Sequence, residues 1–131
     1  MGDPLDIDKA TALIEQFLAA YNRFEIDGMV ELVDPEIEFR NVSGGDLDTV
    51  ALGKEEFREL AEQSAFLFSS RSQTPSNFQV NDDVVSVDIN FTGTLATDIP
   101  DGPKAGDELQ VMGRSEFEFR DGMIFRLTDF S

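Results

Sequence analysis

The 131-residue chain contains no cysteine and no histidine. The first absence excludes disulfides, thiolate nucleophiles and the usual structural zinc sites. The second removes imidazole-ligated metals and histidine-dependent serine triads. Positive charge is scarce too: ten Lys and Arg stand against 27 Asp and Glu, a formal net charge of −17, and Lys9, Lys54 and Lys104 are the only lysines. A surface of that sign repels phosphate backbones and anionic lipid, which disfavours nucleic-acid and membrane-surface partners. The acids are spread along the chain rather than gathered in one run, and their first role is solvation. No apolar run approaches the roughly 20 residues of a membrane span. The opening Met1-Gly2-Asp3-Pro4-Leu5-Asp6 lacks a charged-then-apolar leader, so a cytoplasmic location is expected.

What is present fits one domain over residues 1–131, since an apolar content of 40% supports a core. Ala10, Leu13, Ile14, Phe17, Leu18 and Tyr21 follow helical spacing and predict a first helix over about 8–24. A short second helix over 26–33 ends at Asp34-Pro35, because proline disfavours helical geometry in the residue before it. Residues 36–42 alternate as a strand, with Ile37, Phe39 and Asn41 on one face. Ser43-Gly44-Gly45-Asp46 and the next several residues read as a loop, and a third helix begins near Gly53, carrying Phe57, Leu60, Ala61, Ala65, Phe66 and Phe68. From there the pattern predicts strands over 78–81, 84–95, 108–120 and 122–130, the last two joined by an Asp121-Gly122 turn. Helices, one strand, a helix and a run of antiparallel strands make an α+β domain.

Asp129 stands out. Alternation places it on the same face as Phe125 and Leu127, the apolar side of the last strand. A carboxylate held where water is scarce has a raised pKa, and so becomes a proton carrier near neutral pH in a chain without histidine. Asn41, an amide beside Ile37 and Phe39, needs a hydrogen-bond partner in backbone or ligand. The Tyr21 hydroxyl, on the buried face of the first helix, needs one as well. Ser86, Asp88, Asn90 and Thr92 share the polar face of their strand, expected at solvent or an interface. Asp88 to Gly93 brushes a calcium-loop pattern, but its closing position is Ile99, so no metal is expected there. Arg114 shares a face with Glu116 and Glu118, as in surface charge pairing.

The element order, the pattern from Tyr21 to Asn41, and the stretch from Gly113 to Ile124 with its Asp-Gly turn resemble the NTF2-like superfamily. That group includes ketosteroid isomerase, SnoaL-like polyketide cyclases and limonene-epoxide hydrolase. The resemblance implies a cone-shaped curved antiparallel sheet wrapped around N-terminal helices, an apolar pocket and a homodimer through the outer sheet face. Against the isomerase pattern, Tyr21 matches the oxyanion-donating tyrosine, but the general base falls at Asn41 and the second donor near Ser115. Against the epoxide hydrolase, Asn41 and Asp129 match, while its tyrosine is replaced by Phe39 and its arginine falls near Ser86. Against the cyclases, Asp129 corresponds to the late-strand acid/base, and no metal or cofactor is required.

The resulting expectation is a protein that binds a small hydrophobic molecule. Asp129 would move a proton while Tyr21 and Asn41 polarise a carbonyl or hold a water. Phe39, Phe66, Phe91, Ser115, Phe117 and Phe125 are the expected ligand contacts. The competing reading is a non-catalytic binding or dimeric interaction module, in which Asp129, Asn41 and Tyr21 satisfy one another. An epoxide-hydrolase-like enzyme is the third. A connected cavity reaching Asp129 favours the enzyme, and a filled core favours the module.

Overall fold

In the computed structural model, which describes residues 6–131, three helices pack against one six-stranded sheet. The segment Met1 to Leu5, part of the acidic opening, lies outside the described residues. Helix α1 (Ile7–Asn22) starts where Asp6 accepts from the Asp8 and Lys9 amides at 3.0 and 3.2 Å, an acidic N-cap. Helix α2 is Ile26–Glu31, followed by β1 (Val33–Ser43), β2 (Asp46–Leu52) and α3 (Gly53–Phe66). Strands β3 (Phe68–Asn81), β4 (Val84–Leu95), β5 (Glu108–Arg120) and β6 (Met123–Phe130) complete the chain. Among the described residues no helix is long and apolar enough to cross a membrane.

The sheet is curved and unclosed, with strand order β2-β1-β6-β5-β4-β3. All neighbours are antiparallel except β1 and β6, which run parallel. Two segments expected outside strands belong to it. Residues 46–52 form an edge strand rather than a loop, and β3 begins at Phe68, ten residues before its expected start. The Ser-rich run from Ser69 to Asn77, interrupted by Pro75, has no apolar alternation to announce it. It is an edge strand, where Pro75 needs no ladder bond. Its outer backbone is covered by Asn22, which accepts from the Gln73 amide at 2.7 Å and donates to the Gln73 carbonyl at 3.2 Å.

The core fills the space between the helices and the inner sheet face. Ile14, Val33, Ile37, Val85, Val87 and Ile124 are wholly buried there. On β4 the inward residues are therefore Val85, Val87 and Ile89, and Ser86, Asp88 and Asn90 point to the other side. The outer face carries a charge ladder in register: Arg126 on β6 bonds Glu38 on β1 and Glu118 on β5, each at 3.1 Å. These pairs are partly exposed, so they add specificity of register more than stability. Arg114 pairs with Glu116 at 3.3 Å on the same face.

A β-bulge resets the last strand. Glu118 pairs with Arg126, yet Phe119 pairs with Ile124, so Phe125 is the extra residue on β6. Ile124 and Leu127 both face the core as a result, while Phe125 lies outside beneath the guanidinium groups of Arg120 and Arg126, at 5.2 and 5.4 Å. Strict alternation puts Phe125 with Leu127 and Asp129, and the bulge breaks that phase. Truncation of neighbours tests the reset: Ile124→Ala should lose about 2–5 kcal/mol in denaturant unfolding. Phe125→Ala should lose less than half as much as its neighbour, and a loss equal to that of Ile124→Ala would place Phe125 in the core instead.

Candidate functional site

Pairing across the sheet brings polar side chains from distant parts of the chain into one row. Thr49 on β2 pairs with Asn41 on β1, Asn41 with Asp129 on β6, and Asp129 with Ser115 on β5. The row lies on the inner face, downstream of the bulge that restores Leu127 and Asp129 to that side. The Ser115 hydroxyl, 3% exposed, donates to Asp129 Oδ1 at 2.6 Å. Burial pushes the Asp129 carboxyl up to about 6, against which the Ser115 hydrogen bond pulls it back part of the way. Such a group is ionised at neutral pH and is still readily protonated.

Tyr21 reaches the same space from the last turn of α1. Burial raises its phenol above the ordinary tyrosine value, and the charge of Asp129 adds to the rise. The Arg71 cation and the hydrogen-bonding side chains of Gln73 and Ser64 oppose it. Asn41 is engaged elsewhere. Its Nδ2 donates to Ser43 Oγ at 3.2 Å and to the Asp48 carboxylate at 2.9 and 3.1 Å. Asp48 is the unpaired residue of a bulge in β2, and the Asn41 bond holds its carboxyl below the usual range. With both amide hydrogens taken, Asn41 presents the cavity with an acceptor, suited to a water or a ligand hydroxyl rather than a carbonyl. Asp129, Asn41 and Tyr21 thus share a space without satisfying one another: each has its own partners.

The space is a half-enclosed cavity of about 410 Å³. Phe17, Phe39, Phe57 and Phe117 form aromatic walls, with Phe39 edge-on to Phe57 and Phe17 edge-on to Phe117. Leu60, Ala61, Ser64 and Leu67 close it from α3 and its end. A second lobe of about 260 Å³ shares Tyr21, Asn41, Gln73, Ser115 and Asp129 with the first. Asp129 therefore stands where the two lobes meet. In the second lobe Gly113 has no room for a Cβ, which would lie 2.4 Å from the Phe130 carbonyl oxygen. The polar groups lining the main cavity are one carboxylate, a phenol, two amides and three hydroxyls. Among the described residues no group of three acids is placed to hold a metal ion.

The model of the SnoaL-like domain matches residues 14–127. The chain belongs to the SnoaL-like family. Among solved structures, this SnoaL-like domain is similar to TsrD from Streptomyces laurentii, at 26% identity over 95% of this chain and 89% of that one, with a TM-score of 0.78. A candidate SnoaL-like polyketide cyclase from Jannaschia sp. CCS1 aligns at 18% identity over 99% and 90%, with a TM-score of 0.77. A candidate polyketide cyclase from Xanthomonas campestris pv. campestris aligns at 21% identity over 95% and 90%, with a TM-score of 0.76. No curated protein matches the chain in sequence.

Of the expected contacts, Phe39, Ser115 and Phe117 line the main cavity of the SnoaL-like domain together with Asp129, Tyr21 and Asn41. Phe91 lines only the second lobe, edge-on to Phe68 at 5.3 Å. Phe66 does not line either lobe. It is 81% exposed, because nine residues beyond Phe57 is half a turn away from the Phe57, Leu60, Ala61 and Ser64 stripe. Phe125 is outside, displaced by the bulge. The reading from sequence missed Gln73 and Ser64, whose polar surroundings resemble ordinary surface, and Leu67, one position past the helix end.

Because the folded Asp129 carboxyl titrates above its ordinary value, the native state holds its proton more tightly than the unfolded chain. The sign is a penalty: absent below about pH 4, growing as pH rises, and complete above about 6. A rise from 3.8 to about 6 corresponds to about 3 kcal/mol. Asp129→Asn should therefore be more stable than the wild type at pH 8, by up to that amount, and indistinguishable near pH 4. Urea unfolding at both pH values checks it, and equal stability at pH 8 would contradict a desolvated carboxylate.

Proposed function

We propose that this SnoaL-like domain is a cofactor-independent acid–base enzyme of the isomerase or cyclase type, acting on a small hydrophobic carbonyl compound. One observation carries the reading: a desolvated carboxylate with a single hydroxyl partner, at the junction of two lobes of an aromatic-walled cavity with a few other polar groups. Apolar pockets with a few convergent polar groups are the usual small-molecule sites. The aromatic walls favour a flat, ring-containing ligand over a sugar or a phosphate. The descriptions of the similar structures as candidate polyketide cyclases support the same class.

The step assigned to Asp129 is removal of a proton from a carbon next to the carbonyl. The C–H electron pair moves into the new C=C bond, the carbonyl pair moves onto oxygen, and the proton stays on Asp129 until it is returned at a second carbon. The Tyr21 hydroxyl donates to the enolate oxygen. Asn41, its own hydrogens engaged by Asp48 and Ser43, holds a hydroxyl or water rather than the carbonyl. The epoxide-hydrolase-like alternative is less well supported, since Asp129 is the single acid lining the two lobes, and Arg114, which lines the second, pairs with Glu116 at 3.3 Å. The alternative of a non-catalytic module is less well supported too: the cavity is connected to Asp129, and Asp129, Asn41 and Tyr21 do not bond one another.

We also read residues 1–131 as one cytoplasmic domain that pairs as a homodimer through the outer sheet face. Met112, 67% exposed on β5, supports pairing. Sedimentation equilibrium should give twice the monomer mass, and a monomer at micromolar concentration would oppose that assignment. For the chemistry, a turnover screen over cyclic and polyketide-derived ketones should find an activity that rises with pH through about 6 as Asp129 ionises. Asp129→Asn should lower it by roughly 10²-fold or more. Equal turnover in the variant would remove Asp129 from the mechanism.

A further inference from the structure

Among the described residues, one cation is buried and has no acid beside it. Arg71, on β3, is 6% exposed, and neither of its terminal nitrogens has a hydrogen-bond partner. Asp34, also buried, is by contrast bonded by Arg120 at 3.0 Å. An unpaired guanidinium inside a protein carries a desolvation cost and calls for an explanation. Its Nε donates to the Tyr21 carbonyl at 2.9 Å, at the C-terminal end of α1, where the helix has no basic residue of its own in its last turn. Its guanidinium centre lies 3.7 Å from the centroid of the Tyr21 ring and 4.4 Å from that of Phe24. Two residues along the same strand, Gln73 is fastened to Asn22. The last turn of α1 is thus fixed on β3 by two side chains, and Tyr21 is the residue they locate.

We propose that Arg71 is a positioning residue of the cavity: it holds the Tyr21 ring in place and supplies a standing positive charge behind the phenol, so that the site stabilises an anionic oxygen at the Tyr21 hydroxyl. This rests on the reading of the cavity as the functional site. Arg71 itself does not line either lobe, so it acts through Tyr21 and not on the bound molecule. Before proton transfer the negative charge of the site is on Asp129. Afterwards it is on the oxygen of the bound enolate, next to Tyr21. Arg71 lies against the Tyr21 ring, so charge that moves to an oxygen at the Tyr21 hydroxyl moves toward the cation. The ligand class that fits is a ketone or phenol able to carry charge as an enolate or phenolate. The groups that act on the phenol are Arg71 and Gln73 from β3, Ser64 from α3 and Asp129 from β6. Arg71 and Asp129 pull it in opposite directions.

Tyr21 is the only tyrosine and there is no tryptophan, so a phenol titration of the whole protein reports this one residue. Replacement of tyrosine by 3-fluorotyrosine lowers the titration range and adds a ¹⁹F signal. Circular dichroism at each pH keeps the readings within the folded range. Arg71→Met should move the phenol titration up by on the order of one pH unit, Arg71→Lys should move it less, and Asp129→Asn should move it down. A merely structural role for Arg71 would change thermal stability without separating Met from Lys in the titration. An unchanged titration in folded Arg71→Met would overturn the proposal. If that variant does not fold, equal titrations for Arg71→Lys and Arg71→Gln, whose charges differ, would overturn it as well. The titration needs no substrate, so its failure is distinct from failure of the Asp129 reading, which shows as undiminished turnover in Asp129→Asn.

Discussion

The parallel pairing of β1 with β6 is the constraint on which the site depends. It places the last strand of the chain between the first and the fifth, in the middle of the sheet, where both edges of β6 are bonded. Asn41, Asp129 and Ser115 become neighbours only through that arrangement, although Asn41 and Ser115 are far apart along the chain. The charge ladder from Glu38 through Arg126 to Glu118 reports the same register on the outer face. A slip of one residue would turn Asp129 out and break the ladder together.

Within that frame the molecule holds two charges that ordinary packing would avoid. Asp129 is desolvated with one hydroxyl partner, and Arg71 is desolvated with none from any acid. Tyr21 lies within the influence of both. Burial without full pairing is costly, and evolution commonly tolerates such cost where a group must change its protonation state or stabilise a charge that appears during reaction. The desolvation that costs stability is the same feature on which the proposed chemistry rests.

Much of this was legible in the residue pattern. The helical spacing through Tyr21, the alternation through Ile37, Phe39 and Asn41, and the long β4 and β5 runs have a strong apolar period, and burial follows it. Elements without that period were not legible. The edge strands β2 and most of β3 bury little, so their residues keep loop-like composition, and with them Gln73, Thr49 and Arg71 escaped notice as cavity or positioning residues. Phe66 and Phe125 erred for a different reason. Apolar character alone does not say which way a side chain points once a helix has turned half a revolution or a strand carries an extra residue.

The sequence by itself determined the α+β class, the SnoaL-like family, the absence of thiol and imidazole chemistry, and the candidacy of Asp129, Tyr21 and Asn41. Those come from local period, composition and family pattern, which need no knowledge of what packs against what. Tertiary structure alone decided the partners: Ser115 for Asp129, Asp48 for Asn41, and Arg71 behind Tyr21. Partnership is set by strand order, bulges and the docking of α1 on β3, all long-range events. Its consequence is electrostatic, because a charge held away from solvent is governed by the few groups that face it.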